Sequence, residues 1–197
     1  MARSLQLKHS VFSTFVAFSC VAVAAGGLYW AFGKRHHLGD VETTASISPI
    51  INQFGPSGLP LPRFVSLKAE KVNVRKGPSS DHDVAWVFQI KGLPVEIVAE
   101  FETWRRIRDS EGTEGWILQN MLAGRRTALV APWRKGQLTP LYSGTSIRSS
   151  EVASLSSGAI GEIVTCGGQW CDVKVGGYRG YVQQEYLWGA YPGEVVN

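Results

Sequence analysis

The chain has 197 residues, 44% of them hydrophobic, and a formal net charge of +4. That length and composition suit one or two small globular domains. No run of five or six like charges occurs, so a disordered acidic or basic tail is excluded, and the mildly basic balance specifies no partner.

Arg3 and Lys8 precede an uncharged stretch from Ser10 to Gly33. A positive start followed by an apolar run is the pattern of an export signal. Ala22-Val23-Ala24 offers a small-x-small cleavage site, yet the apolar run continues through Gly26 to Phe32. The whole stretch is long enough to span a bilayer, which takes roughly 17–25 residues. Residues 1–33 therefore read as a cleaved signal peptide or as an uncleaved transmembrane signal anchor. A lipoprotein acylated at Cys20 is a third reading, weakened by the bulky Phe18 before the small residue. The first two readings export the rest of the chain to the periplasm or cell envelope, anchored to the inner membrane in the second. Contact with a membrane is expected only through this segment.

Residues 34–63 are rich in Ser, Thr, Pro and Gly, with one aromatic, Phe54. Such a segment buries too little apolar area to offset its ordering entropy and reads as a flexible linker. Leu59-Pro60-Leu61-Pro62 reads as its stiff end, or alternatively as a stretch that docks on the domain that follows.

From Phe64 onward the chain reads as strands closed by turns. Lys71–Arg75 alternates polar and apolar residues, Val84–Ile90 is an apolar run, and Val95–Glu100 alternates again. Trp104–Arg108 and Gly115–Leu118 follow, separated by Asp109-Ser110-Glu111-Gly112-Thr113. Gln119–Leu122 reads as one helical turn, and Arg126–Val130 as the last strand of the unit. Short strands at this spacing predict a small sandwich or barrel.

The second half repeats the first. Trp170 stands 66 positions after Trp104, and Tyr181 stands 65 after Trp116. The one-residue difference falls in the turn at Gly176-Gly177, where a duplicated strand scaffold tolerates a deletion. Two copies do not make an open solenoid, so each copy is expected to close its own core. The expected organisation is a first unit over 64–131 and a second over 132–197, all-β throughout.

Val72-Asn73-Val74-Arg75-Lys76-Gly77-Pro78, Trp104-Arg105-Arg106-Ile107-Arg108 and Gly115-Trp116-Ile117 resemble the opening and central hairpin of the bacterial SH3-like (SH3b) domain family. The second copy is similar through Trp170 and Gly180-Tyr181-Val182 but lacks the Asn-Val-Arg opening. The resemblance implies two tandem five-stranded small barrels that bind rather than catalyse. It implies cell-wall peptide or glycan as ligand, with an adaptor for another envelope protein as the alternative. The acidic-aromatic opening of eukaryotic SH3 domains is absent, so binding of proline-rich peptides is not implied.

Trp104, Arg106 and Trp116 in the first copy and Trp170 and Tyr181 in the second are the candidate ligand-binding residues. Trp104 and Trp170, at turn-to-strand junctions, are candidate groove walls. The bland reading of Trp86, Trp104, Trp116, Trp133, Trp170, Tyr181 and Trp188 is core filler. Arg105, Arg106, Arg108, Arg125 and Arg126 interleave with tryptophans, a pattern also used on nucleic acid, but export argues against that partner.

Cys166 and Cys171 bracket a turn and would face each other across a hairpin, which predicts a disulfide in an exported protein. The 66-residue offset places Glu100 and Arg105 at the same two positions of the first copy. The cross-strand pair is then an ion pair in one unit and a disulfide in the other. A zinc site needs more ligands than lie nearby, so no metal or cofactor is expected. The only histidine beyond the linker is His82. That leaves no base for a cysteine or serine nucleophile, so no catalytic residue is expected. Glu96, Glu100, Glu102 and Glu162 read as solvated strand faces.

Overall fold

The computed structural model describes residues 53–197. The export segment and most of the expected linker lie outside the described residues. Among the described residues no helix is long and apolar enough to cross a membrane.

The described chain begins with a short hairpin, β1 (Gln53–Phe54) and β2 (Pro60–Leu61). The first unit follows as β3 (Arg63–Leu67), β4 (Val72–Arg75), β5 (Val84–Phe88), β6 (Pro94–Phe101), β7 (Trp104–Arg108), β8 (Glu114–Leu118) and β9 (Leu122–Ala123). A single 3-10 turn, Gln119–Met121, joins β8 to β9. The second unit comprises β10 (Thr127–Val130), β11 (Leu138–Tyr142), β12 (Glu151–Ser156), β13 (Ile160–Gly167), β14 (Trp170–Val175), β15 (Tyr178–Gln183) and β16 (Leu187–Trp188). Its 3-10 turn is Gln184–Tyr186.

Each unit is one seven-stranded sheet. The strand order is β5-β4-β8-β7-β6-β3-β9 in the first and β12-β11-β15-β14-β13-β10-β16 in the second. The two orders correspond strand for strand, so the duplication read from spacing is a duplication of topology. All defined pairs within the two sheets are antiparallel. Seven strands appear in each unit where the resemblance implies five; the two-residue β9 and β16 account for one of the two extra strands in each.

Alternation along each strand builds the cores. In β7, Ile107 is fully buried while its neighbours Arg106 and Arg108 reach the surface. Val74, Val95, Ile107 and Ile117 centre the first core. Leu141, Ile163, Val173 and Val182 centre the second. Each sheet thus surrounds its own apolar cluster.

Gly115 and Gly180 occupy equivalent places in β8 and β15. A side chain at Gly115 would meet Val74 and Trp86, and one at Gly180 would meet Leu141 and the carbonyl of Tyr142. Close strand approach demands glycine at both.

Thr127–Val130 belongs to the second unit. It was expected to close the first, but β10 pairs with β13 and β16. Its counterpart is β3, which pairs with β6 and β9. The loop bonds agree: Gly92 N–H donates to Leu67 O, and Gly158 N–H donates to Val130 O. The second unit therefore starts at about Arg126 rather than at 132. All four residues of β10 are buried. They carry no alternation to show which sheet they join, and that is why the expectation misplaced them.

The end of the expected linker is ordered too. Ser57 donates to Glu100 through its N–H (2.9 Å) and its hydroxyl (2.8 Å). Arg63 Nη2 donates to the same carboxylate at 2.7 Å. The β1–β2 hairpin is thus docked on β6, as the alternative reading of Leu59–Pro62 has it. Composition missed this because the docking group is a single buried glutamate remote in sequence.

The units also touch. Phe64 meets Trp188 edge-to-face at 5.1 Å and Tyr191 at 4.8 Å. The Thr127 hydroxyl donates to Gly92 O at 2.7 Å in a buried position. The Tyr191 hydroxyl donates to Glu96 Oε1 at 2.8 Å.

Candidate functional site

Residues directly opposite on paired strands present their side chains on one face. In the first unit Arg75 lies opposite Trp116, Trp116 opposite Arg106, and Arg106 opposite Ala99. One row therefore crosses four strands as Arg75–Trp116–Arg106–Ala99. Trp104, two residues before Arg106, lies on the same face. The structure brings Trp104, Arg106 and Trp116 together, as the sequence reading grouped them.

The corresponding row in the second unit is Tyr142–Tyr181–Asp172–Thr165. Trp170 lies two residues before Asp172 and meets Tyr142 edge-to-face at 5.8 Å. Trp170 and Tyr181 are thus also on one face, at the places held by Trp104 and Trp116. Tyr142 and Asp172 were not anticipated. They are visible only once the register is known, because neither repeats its counterpart.

Both faces carry cavities. Trp104 lines one of about 240 Å³ with Asn73, Arg75, Leu118 and Met121. Trp104 itself is only 8% exposed and counts among the buried hydrophobic side chains, so it is not an open platform. Trp170, Tyr181 and Asp172 line a larger cavity of about 640 Å³. Trp116, Trp170 and Tyr181 are half-buried and Arg106 is exposed. Trp133 is 55% exposed, so it is not core filler.

The charges on the two faces are inverted. In the first unit Arg106 Nη2 contacts Glu114 Oε2 at 2.7 Å. In the second, Asp172 on β14 takes the place of Arg106, and Arg179 on β15 takes the place of Glu114. Arg179 Nη2 donates to Asp172 Oδ2 at 2.6 Å. That hydrogen bond, and then the charge of Asp172, raise the pKa of Arg179.

Most other arginines are engaged. Arg105 Nε contacts Glu100 at 3.2 Å, and Arg126 holds Glu194 at 2.7 Å. Glu96 and Glu100 are buried and bonded to arginines, not solvated as expected. Their partners lie across strands, where sequence distance conceals them. Among the described residues no cluster of three or more His, Cys, Asp or Glu could hold a metal.

Cys166 and Cys171 face each other in register across β13–β14 and are joined by a disulfide. Glu100 and Arg105 occupy the matching positions across β6–β7. The ion pair of one unit is the disulfide of the other.

A further cavity of about 730 Å³ lies where the β1–β2 hairpin, β3 and the second unit's tail converge, with Pro60, Pro62, Phe64 and Tyr191 among its walls. None of the five candidate residues lines it. Its arginines are already engaged: Arg63 and Arg105 on Glu100, and Arg126 on Glu194. We read it as a product of the contact between the units.

The fold defines a tandem of small β-units, each with an aromatic face beside a cavity. The bacterial SH3 domain family matches residues 68–124 and again 135–189, and the chain belongs to that family. No curated protein matches the chain. Among solved structures it is similar to NlpC2 and NlpC1 from Trichomonas vaginalis. The identities are 14% and 16% and the TM-scores 0.30 and 0.29. Both matches cover 64% of this chain, but only 48% and 45% of those chains, so it spans less than half of either relative.

Proposed function

We propose that the chain is a non-catalytic binding protein of the bacterial cell envelope, with cell-wall peptide or glycan as its ligand. Membership of the bacterial SH3 family supports a binding role. The export pattern of residues 1–33 supports the envelope. The observation that carries the reading is the duplicated face: aromatic side chains recur at the same strand positions, beside a cavity, in both units. Half-buried rings next to polar groups suit sugars and peptides, which offer apolar faces edged by hydrogen-bonding groups.

The test is retention on purified sacculi. The wild-type chain is expected to co-sediment without any added protein. Trp116→Ala combined with Tyr181→Ala is expected to reduce retention by about tenfold, a loss of roughly 0.7 kcal/mol at each of the two rings. No sedimentation of the wild-type chain would overturn the reading and favour an adaptor for an envelope protein.

A further inference from the structure

The two candidate faces share a scaffold but not a chemistry. Arginines flank Trp116 in the first row. The second row replaces them with Tyr142 and Asp172. The 640 Å³ cavity beside the second row is lined by Thr145, Thr165, Gln169, Trp170, Asp172, Tyr181 and two glycines. Asp172 is the one charged residue among them, and its side chain is only 9% exposed.

A buried carboxylate in an otherwise uncharged, aromatic-walled cavity selects for positive charge. The indole of Trp170 and the phenol of Tyr181 present electron-rich faces that attract a cation. The hydroxyls of Thr145 and Thr165 and the amide oxygen of Gln169 are acceptors for the remaining N–H groups. An anion would meet Asp172 with no lining cation to offset it. Arg179 already holds Asp172 but comes from outside the cavity lining. Its fork engages both oxygens of Asp172, Nε to Oδ1 at 3.1 Å and Nη2 to Oδ2 at 2.6 Å, but it is 60% exposed, so an incoming cation competes with it for the carboxylate.

We propose that this cavity of the second unit binds a primary ammonium group, the free amine of a peptide ligand. The inference rests on the wall-binding reading and names the part of the ligand that the second unit grips. The first unit's face, with Arg75 and Arg106, is left to groups that are not cationic.

Two probes test it on the full chain: Nα-acetyl-lysine amide and the same compound acetylated at Nε. Binding is followed by the NMR signals of the Trp170 and Tyr181 rings. The free amine is expected to shift both signals in a saturable way, and the Nε-acetylated compound to leave them in place. Asp172→Asn is expected to weaken the amine by about tenfold or more, since a charge-assisted hydrogen bond is lost. Arg179→Gln keeps the carboxylate and removes its competitor, so it is expected to tighten binding by about threefold. Equal response to both probes, no response to either, or a weaker amine in Arg179→Gln would overturn the proposal. Sacculus retention measured on the same samples separates the two claims. Retention without an amine response removes the amine site alone. An amine response without retention removes the wall ligand and keeps the site.

Discussion

Glu100 is the residue on which three segments converge. Its side chain is 1% exposed and is held by Arg63, Arg105 and Ser57. Burial by itself would raise its pKa, but the Ser57 N–H, Arg63, the Ser57 hydroxyl and the charge of Arg105 outweigh burial and lower it. Glu194 follows the same pattern: burial raises, and Arg126 and the Tyr191 N–H bring the pKa down. A carboxylate with a depressed folded-state pKa stabilises the fold above its unfolded value, near 4.3, and that contribution is lost as pH falls through the folded value. Urea midpoints are therefore expected to drop on acidification below about pH 4.5, and less steeply in Glu100→Gln. At neutral pH that variant leaves two guanidinium groups without their shared anion and is expected to lose about 3 kcal/mol of stability in urea unfolding. Sequence spacing identified the Glu100–Arg105 pair but implied an exposed one, worth under about 1 kcal/mol. Its burial depends on the docked hairpin, which no local pattern reveals.

At the scale of elements, the β13–β14 hairpin shows what spacing can and cannot convey. Its register, with Cys166 opposite Cys171, follows from the offset to β6–β7 because a two-residue period leaves little freedom once one pair is matched. The pairing of β10 does not follow, since strand partners distant in sequence leave no trace in a short, wholly buried run. Likewise Trp170 and Tyr181 of the second face could be read from the repeat, but Asp172 and Tyr142 could not. The disulfide closes a five-residue separation, and a loop that short contributes about 2 kcal/mol in the chain-entropy account. Cys166→Ala with Cys171→Ala is accordingly expected to lower stability by about 2 kcal/mol in urea, with reductant giving the same loss in the wild type. Cys166 also exchanges two backbone hydrogen bonds with Val196, so loosening this hairpin is expected to speed amide exchange at Val196.

At the scale of the molecule, two separate cores are joined by a small, specific contact. Phe64 is 6% exposed and sits against Trp188 and Tyr191, with the Arg126 guanidinium 5.9 Å from its ring. Thr127 and Tyr191 add hydrogen bonds to Gly92 and Glu96. Cooperative unfolding of both units in one calorimetric transition is the expected behaviour. Phe64→Ala removes the ring that both aromatic contacts share and is expected to cost about 3 kcal/mol and to resolve the endotherm into two. A single endotherm in that variant would mean that the units are coupled by something other than this contact.

Because β10 opens the second unit and only Gly124, Arg125 and Arg126 separate it from β9, the heritable cassette does not begin where the visible motifs do. Any excision, shuffling or fusion at residue 132 would leave a strand of the downstream piece behind. Both products would then be harmed: one with a dangling apolar tail, the other with bare edges on β13 and β16.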